Sequence, residues 1–133
     1  MSTGPLRSDP NQGLVAELPE VFARFGRVSA RRMFGGFGIY HEERMFALVS
    51  GGRLYLKTDE GNRAQFDARQ LAPFEYMRQG QLTPTSYVEA PAEIYEDREE
   101  AARWARLAWE AVLRTPAPRK KAAAKKKRAA PKR

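Results

Sequence analysis

His41 is the only histidine in the chain, and its imidazole could serve as a metal ligand or a general base. A metal site would need further ligands, and the adjacent Glu42 and Glu43 would point in different directions. Cysteine cannot complete such a site, because the chain contains none. The run His41-Glu42-Glu43-Arg44 therefore predicts a surface turn, and we predict no metal ligand.

Nucleophilic catalysis would need a serine held beside this histidine. Three serines are candidates: Ser29, Ser50 and Ser86. None of them lies in the strand-turn-helix elbow that exposes a catalytic serine. Adjacent acids at 42–43, 96–97 and 99–100 are typical of turns and helix starts. We therefore predict no catalytic residue, no cofactor and no enzymatic activity.

A glycine cluster, Gly35-Gly36-Phe37-Gly38, could cradle a phosphate with consecutive backbone amides. It lacks both the GxGxxG spacing and the Lys-Ser or Lys-Thr pair of phosphate loops. The residues after it indicate a strand, so no helix N-terminus would face the phosphate. We favour a tight bend or bulge in which only glycine fits.

Basic charge is concentrated at the C-terminal end. The chain has 24 lysines and arginines against 16 acids, a net charge of +8. Residues 115–133 contain no acid and nine basic residues: Arg119, Lys120, Lys121, Lys125, Lys126, Lys127, Arg128, Lys132 and Arg133. Residues 1–114 therefore carry 15 basic and 16 acidic residues, a net charge of −1.

This C-terminal segment, residues 115–133, is called the basic tail below. It lacks large apolar side chains and its like charges repel one another, so we predict that it is disordered. We also predict that it binds nucleic acid without sequence preference. Acidic protein or ribosomal surfaces are the alternative partners.

A second basic region surrounds the glycine cluster. Its arginines are Arg31, Arg32, Arg44 and Arg53, and the aromatic residues near them are Phe34, Phe37 and Tyr40. Arginines with aromatic rings suit single-stranded nucleic acid. Residues 1–114 are close to neutral and would attract a polyanion only weakly. The simpler interpretation of these arginines is that they are solvated charges that protect strand edges from pairing with other chains.

The elements that must position these residues begin with a helix. Apolar spacing predicts it from Leu14 to near Gly26, after a disordered start at residues 1–10, and Pro19 predicts a kink or a new helix start within it. Glycine pairs and charged turns then predict an antiparallel meander. Its four strands are expected at 30–34, 37–41, 44–49 and 53–57.

One strand of this meander is apolar on both of its faces. The run Met45–Val49 contains no polar residue, which predicts a sheet covered at least partly on its second side. Either helices cover both faces or another subunit supplies the cover.

The second half of the chain predicts two further helices and a hairpin. A helix over 60–69 could be capped by Thr58 or Asp59. The runs FEYMR and LTPTSYVEA predict the hairpin, in which Pro84 requires an edge position or a bulge.

The last helix is predicted over 97–114. Trp104 lies in the middle of its apolar stripe and should be buried, whereas Trp109 should lie at the margin or in an interface.

Together these patterns predict an α+β fold. An antiparallel meander and a second hairpin would pack with N-terminal, middle and C-terminal helices, and residues 11–114 would form the domain. The N-terminal residues have no signal-peptide run, and no apolar stretch is long enough to span a bilayer. We expect a cytoplasmic protein.

The run Arg31-Arg32-Met33-Phe34-Gly35-Gly36 and the following Phe37-Gly38-Ile39-Tyr40 resemble the N-terminal domain of the TfoX/Sxy family. The likeness continues through MFAL at 45–48, LYLK at 54–57, PFEY at 73–76 and WARLA at 104–108, and covers about residues 13 to 114. The resemblance implies a compact α+β domain with an antiparallel sheet. It assigns no chemical role to the residues of the motif.

The same resemblance implies a regulatory role. Members of the family are bacterial regulators of transcription associated with natural competence, and a second, helical domain follows in full-length members where this sequence has its basic tail. We expect a non-enzymatic regulatory or adaptor protein. Its partner is left open between a protein of the transcription machinery and a second copy of the chain. The alternative is a small-ligand-binding protein or an enzyme that uses a pocket between the sheet and the helices.

Overall fold

The computed structural model describes residues 9–33 and 35–116. Three α-helices and six strands form these residues, with a short 3-10 helix before the last α-helix. The helices are α1 (Pro10–Val21), α2 (Arg63–Ala68) and α3 (Arg98–Arg114), and the 3-10 helix is Ala92–Tyr95. The strands are β1 (Ser29–Met33), β2 (Gly36–His41), β3 (Arg44–Ser50), β4 (Arg53–Lys57), β5 (Pro73–Arg78) and β6 (Gln81–Glu89).

All six strands join one antiparallel sheet in the order β1-β2-β3-β4-β6-β5. The first four form the predicted meander, with bounds within one residue of those expected. The β5–β6 hairpin then joins β4 through β6. This arrangement confirms the predicted α+β fold.

Helix α1 begins four residues earlier than predicted. The Asp9 carboxylate accepts a hydrogen bond from the Asn11 amide, and Pro10 occupies the first turn, where its missing N–H costs nothing. Asp9 and Pro10 therefore start the domain, whereas a disordered start was expected through residue 10. The helix ends at Val21 rather than near Gly26, because residues 22–25 form a turn. Pro19 lies inside this single helix, so the second helix start, one of the two predicted alternatives, does not occur.

Helix α2 is shorter than the predicted 60–69. Asp59 caps the turn before it by accepting hydrogen bonds from the Gly61 and Asn62 amides. The Thr58 hydroxyl donates instead to the Ser86 carbonyl of β6. The helix therefore starts at Arg63, directly after Asn62 in the sequence.

The core lies between the helices and one face of the sheet. Small residues on α3 (Ala101, Ala105 and Ala108) allow close approach to the strands, and Trp104 is 2% exposed and packs edge-to-face on Phe66 at 5.0 Å. Trp109 is only partly buried, as predicted for the margin of the helix face. Within residues 9–33 and 35–116, no helix is long and apolar enough to cross a membrane.

Candidate functional site

The sheet has one face covered by helices and one face open. Ile39, Ala47 and Leu56 lie opposite one another in the register and pack under α1 and α3. The alternate residues Gly38, Leu48 and Tyr55 are also opposite one another and point away from those helices. The second face that the sequence predicted to be covered is therefore not covered by this chain's described helices.

A groove of about 710 Å³ lies on this open face. It is lined by Met33, Met45, Leu48, Phe74, Tyr76, Met77, Thr85, Ser86 and Tyr87. These residues come from β1, β3, β5 and β6, so the groove crosses the sheet. The set is called the open-face groove below.

Glycines allow the strands to form the floor of this groove. A Cβ atom at Gly38 would lie 2.8 Å from the Met45 sulfur and 3.0 Å from the Met33 sulfur. A Cβ at Gly36 would lie 2.2 Å from the Val49 carbonyl oxygen. Gly35 has a φ of +80°, a conformation that favours glycine, in the turn before β2. The cluster is thus the bend and close approach that we favoured, and no helix follows it.

A bulge in β3 interrupts the alternation of its side chains. Ile39 pairs with Ala47 but Tyr40 pairs with Met45, which leaves Phe46 as the extra residue. Phe46 is fully buried among core aromatic rings, while Met45 lines the groove. The bulge therefore places Phe46 and Ala47 together on the core face and Met45 on the open face.

A second irregularity shapes the other side of the groove. Between the pairs Pro73–Val88 and Glu75–Pro84, three residues of β6 lie opposite Phe74. The Thr85 hydroxyl donates to the Phe74 carbonyl and accepts the Tyr87 amide. The strand that contains Pro84 therefore carries a bulge, one of the two predicted arrangements.

Positive side chains border the open-face groove. The Arg31 guanidinium lies 4.3 Å from the centre of the Tyr40 ring. Lys57 donates to the Ser86 hydroxyl at 3.0 Å, and burial lowers the pKa of its ammonium group. Glu89, an acid on the same face, already pairs with Arg53 at 2.8 Å. The face therefore has a net positive charge.

The four arginines weighed as a basic patch do not come together in one place. Arg32 lies over the Phe37 ring at 5.0 Å, on the opposite face from Arg31. Arg44 donates to the carbonyl oxygens of Thr115 (2.7 Å) and Pro116 (3.1 Å). The four arginines thus act in four different places.

The predicted turn His41-Glu42-Glu43-Arg44 is present: His41 pairs with Arg44, and the two central residues, Glu42 and Glu43, have positive φ. The His41 side chain is nevertheless largely buried and not at the surface. Its ring packs between Phe25 at 4.6 Å and Trp109 at 4.7 Å, and its Nδ1 donates to the Arg27 carbonyl at 2.8 Å. In the described part of the chain no group of three or more histidine, aspartate and glutamate side chains could hold a metal ion.

The remaining predicted site residues divide into two groups. Met33 of the motif lines the groove, Gly36 lies against the Val49 backbone, and Gly35 lies in the turn before β2. Phe34 lies outside the described residues, as do all nine basic residues of the tail. Residues of the second hairpin, Phe74, Tyr76, Met77 and Tyr87, were not predicted as site residues.

Two hollows lie where the alternative places a pocket between the sheet and the helices. One, of about 350 Å³, is beside the 3-10 helix and is lined by residues such as Leu54, Leu71 and Tyr95. The other is smaller. It lies between α1 and the first two strands, is lined by residues such as Leu18, Val28 and Ile39, and has a volume of about 70 Å³. That volume holds a few water molecules rather than a metabolite. The open-face groove is ten times larger.

Comparison with known proteins gives two matches. Residues 20–112 match the family model of the TfoX N-terminal domain. The chain is 31% identical over 88 residues to the DNA transformation protein TfoX1 of Aliivibrio fischeri, which covers 63% of this chain and 42% of that protein. The chain therefore matches less than half the length of this curated relative.

Proposed function

Because the chain belongs to the TfoX N-terminal domain family, we propose that it is a non-enzymatic regulatory or adaptor protein associated with DNA transformation. We infer that its basic tail holds it on nucleic acid without sequence preference. The observation that carries this proposal is the separation of charge: nine basic residues without an acid in residues 115–133, against a net charge of −1 in residues 1–114.

A duplex attracts such a segment through counterion release. Each phosphate that a lysine or arginine neutralises frees condensed cations, so affinity falls as salt rises. Lysine supplies six of the nine charges and acts as a point charge with little base selectivity. If about five to eight phosphates are engaged, log K falls against log salt with a slope of about −4.5 to −7.

Two acids of the described residues are held by structural partners, which disfavours either of them as a general acid. Asp59 forms two hydrogen bonds with Arg114, which lower the pKa of its carboxyl group. The backbone and Arg69 lower the pKa of Glu93 in the same way. Carboxylates held in their charged form by structural partners are poor proton donors near neutral pH.

The test is a salt titration of duplex binding by four proteins. They are the full chain, a truncation after Pro116, a variant with all nine tail cations replaced by glutamine, and a control with Arg119→Lys, Arg128→Lys and Arg133→Lys. The control keeps the charge, so it should match the full chain, while the truncation and the glutamine variant should bind at least about tenfold more weakly.

Competition with DNA of random and of promoter sequence completes the test. We expect both to compete equally. A truncation that binds as tightly as the full chain, or a full chain that strongly prefers one sequence, would place recognition on the folded domain and contradict the proposal.

A further inference from the structure

We propose that the open-face groove docks an amphipathic helix of a partner protein, with the apolar side of that helix in the groove and acidic residues on its flanks. The proposal rests on the geometry of the sheet and not on the nucleic-acid role of the tail, so the two can fail separately.

The sheet is built to be covered on both faces. In β3 Phe46, Ala47 and Val49 are buried on the core face, and the apolar residues Met45 and Leu48 lie on the open face. Strands that are apolar on both faces normally lie between two layers. Helices α1 and α3 supply one layer, and a helix on the open face would supply the second.

The lining of the groove suits apolar side chains. Every methionine of the chain except Met1 lines it, namely Met33, Met45 and Met77. Methionine is flexible and polarizable, so a methionine-rich surface adapts to the leucine or phenylalanine side chains of a partner helix. Met77 is 64% exposed and Tyr76 is 40% exposed, so both are available to a partner.

The border of the groove selects the charge of the partner. Arg31 and Lys57 are basic side chains on this border, and the nearby Glu89 is paired with Arg53. Acidic flanks on the docked helix would complement these cations.

A nucleic acid strand fits this groove less well than a helix does. Bases stack on flat, exposed aromatic rings, whereas Met33, Met45 and Leu48 form much of the lining. Tyr87 is largely buried, which raises its pKa to about 12. Thioether and aliphatic groups favour apolar side chains over bases.

The methionines provide a specific probe for this proposal. In protein with ¹³C-labelled methionine methyl groups, three of the four signals come from the groove and Met1 serves as an internal reference. The full chain is titrated with a synthetic amphipathic helix that has leucines on one side and glutamates on its flanks. A second peptide has lysines in place of the glutamates, and a third probe is oligo(dT).

We expect the glutamate peptide to shift the groove signals and leave Met1 unchanged. The lysine peptide should bind at least about tenfold more weakly. Because the tail also attracts acids, the truncation after Pro116 should give the same groove shifts. This separates the groove from the basic tail.

Two matched pairs of variants locate the surface. Met77→Glu is compared with Leu113→Glu, which changes an equally exposed apolar residue (59%) on α3. Arg31→Glu is compared with Arg106→Glu, which makes the same charge change at an exposed residue of α3. The groove variants should weaken binding of the glutamate peptide at least about fivefold, and the α3 variants should weaken it less than twofold.

Three results would overturn the proposal. The first is no shift of the groove signals at millimolar glutamate peptide, or equal binding of the lysine peptide. The second is tighter binding of oligo(dT) with the same shifts, which would make the groove a nucleic acid site. The third is a dimer, detected by light scattering, whose dissociation on dilution moves the groove signals.

Discussion

Trp104 and Trp109 lie on the same helix but in different environments. Trp104 is buried against Phe66 and its indole N–H donates to Glu100, whereas Trp109 contacts Phe25 and His41 at the margin of the core. We expect Trp104→Ala to cost about 3 to 5 kcal/mol in the free energy of unfolding and Trp109→Ala clearly less. Urea denaturation measures both, and equal losses would contradict this account of the helix face.

The glycines of β2 differ in what a methyl group would meet. At Gly36 it would meet the Val49 backbone, which cannot move without breaking the sheet, but at Gly38 it would meet the flexible ends of methionine side chains. Gly36→Ala should therefore cost about 2 to 3 kcal/mol and Gly38→Ala less than about 1 kcal/mol. Thermal or urea unfolding tests this order, and a larger loss at Gly38 would contradict it.

Two half-buried tyrosines make the fold sensitive to high pH. Burial raises the pKa of Tyr87 and of Tyr95 to about 12, from an ordinary value of 10.0. Between these values the unfolded chain releases the phenol protons and the folded chain keeps them, so the free energy of unfolding falls as pH rises from about 10 to 12. In Lys57 burial acts in the opposite sense, because it lowers the pKa and favours the neutral amine.

Urea denaturation across this pH range, with tyrosinate absorbance recorded in parallel, measures the effect. Tyr87→Phe and Tyr95→Phe should each make the loss of stability with pH less steep. Tyr76, which is 40% exposed, is the matched control, and Tyr76→Phe should leave the pH dependence unchanged.

At the scale of elements, hydrogen bonds of two residues beyond the helix stabilise the end of α3. The Thr115 hydroxyl donates to the Ala111 carbonyl, and Arg44 donates to the carbonyls of Thr115 and Pro116. Truncation after Pro116 should therefore leave the unfolding midpoint within about 2 °C of the full chain, whereas truncation after Arg114 should lower it by about 4 °C or more. Calorimetry of both truncations tests this. A large drop after Pro116 would mean that the tail packs on the domain.

Strand positions in this protein could be predicted because local chemistry marks their ends. Glycines and charged turns bound each strand of the meander, and the strands start and end within one residue of the expected places. The start of α1 is harder to predict, because Asp9 and Pro10 fit both a helix cap and a polar chain terminus. The position of His41 also depends on a contact with Trp109, far along the chain.

At the scale of the whole molecule, the sequence indicated that a second apolar face exists but not where a site on it would form. The apolar run Met45–Val49 indicates this second face from the local sequence alone. The groove requires Met33 of β1 and Phe74 of β5 to lie close together on one face of the sheet. This proximity depends on the pairing of β6 with β4. Strand order of this kind is set by packing over the whole domain, so it has no local signature.

The contact between Arg44 and the two carbonyls fixes the point at which the chain leaves the domain. Pro116 lies beside Met45, Lys57 and Tyr87, so this exit point borders the open-face groove. The 17 residues that follow can extend at most about 60 Å from it. A helix docked in the groove and a duplex held by the tail would share that small volume, which raises their effective concentration to about the millimolar range. Tethering alone would then bring a partner to DNA without any base-specific contact.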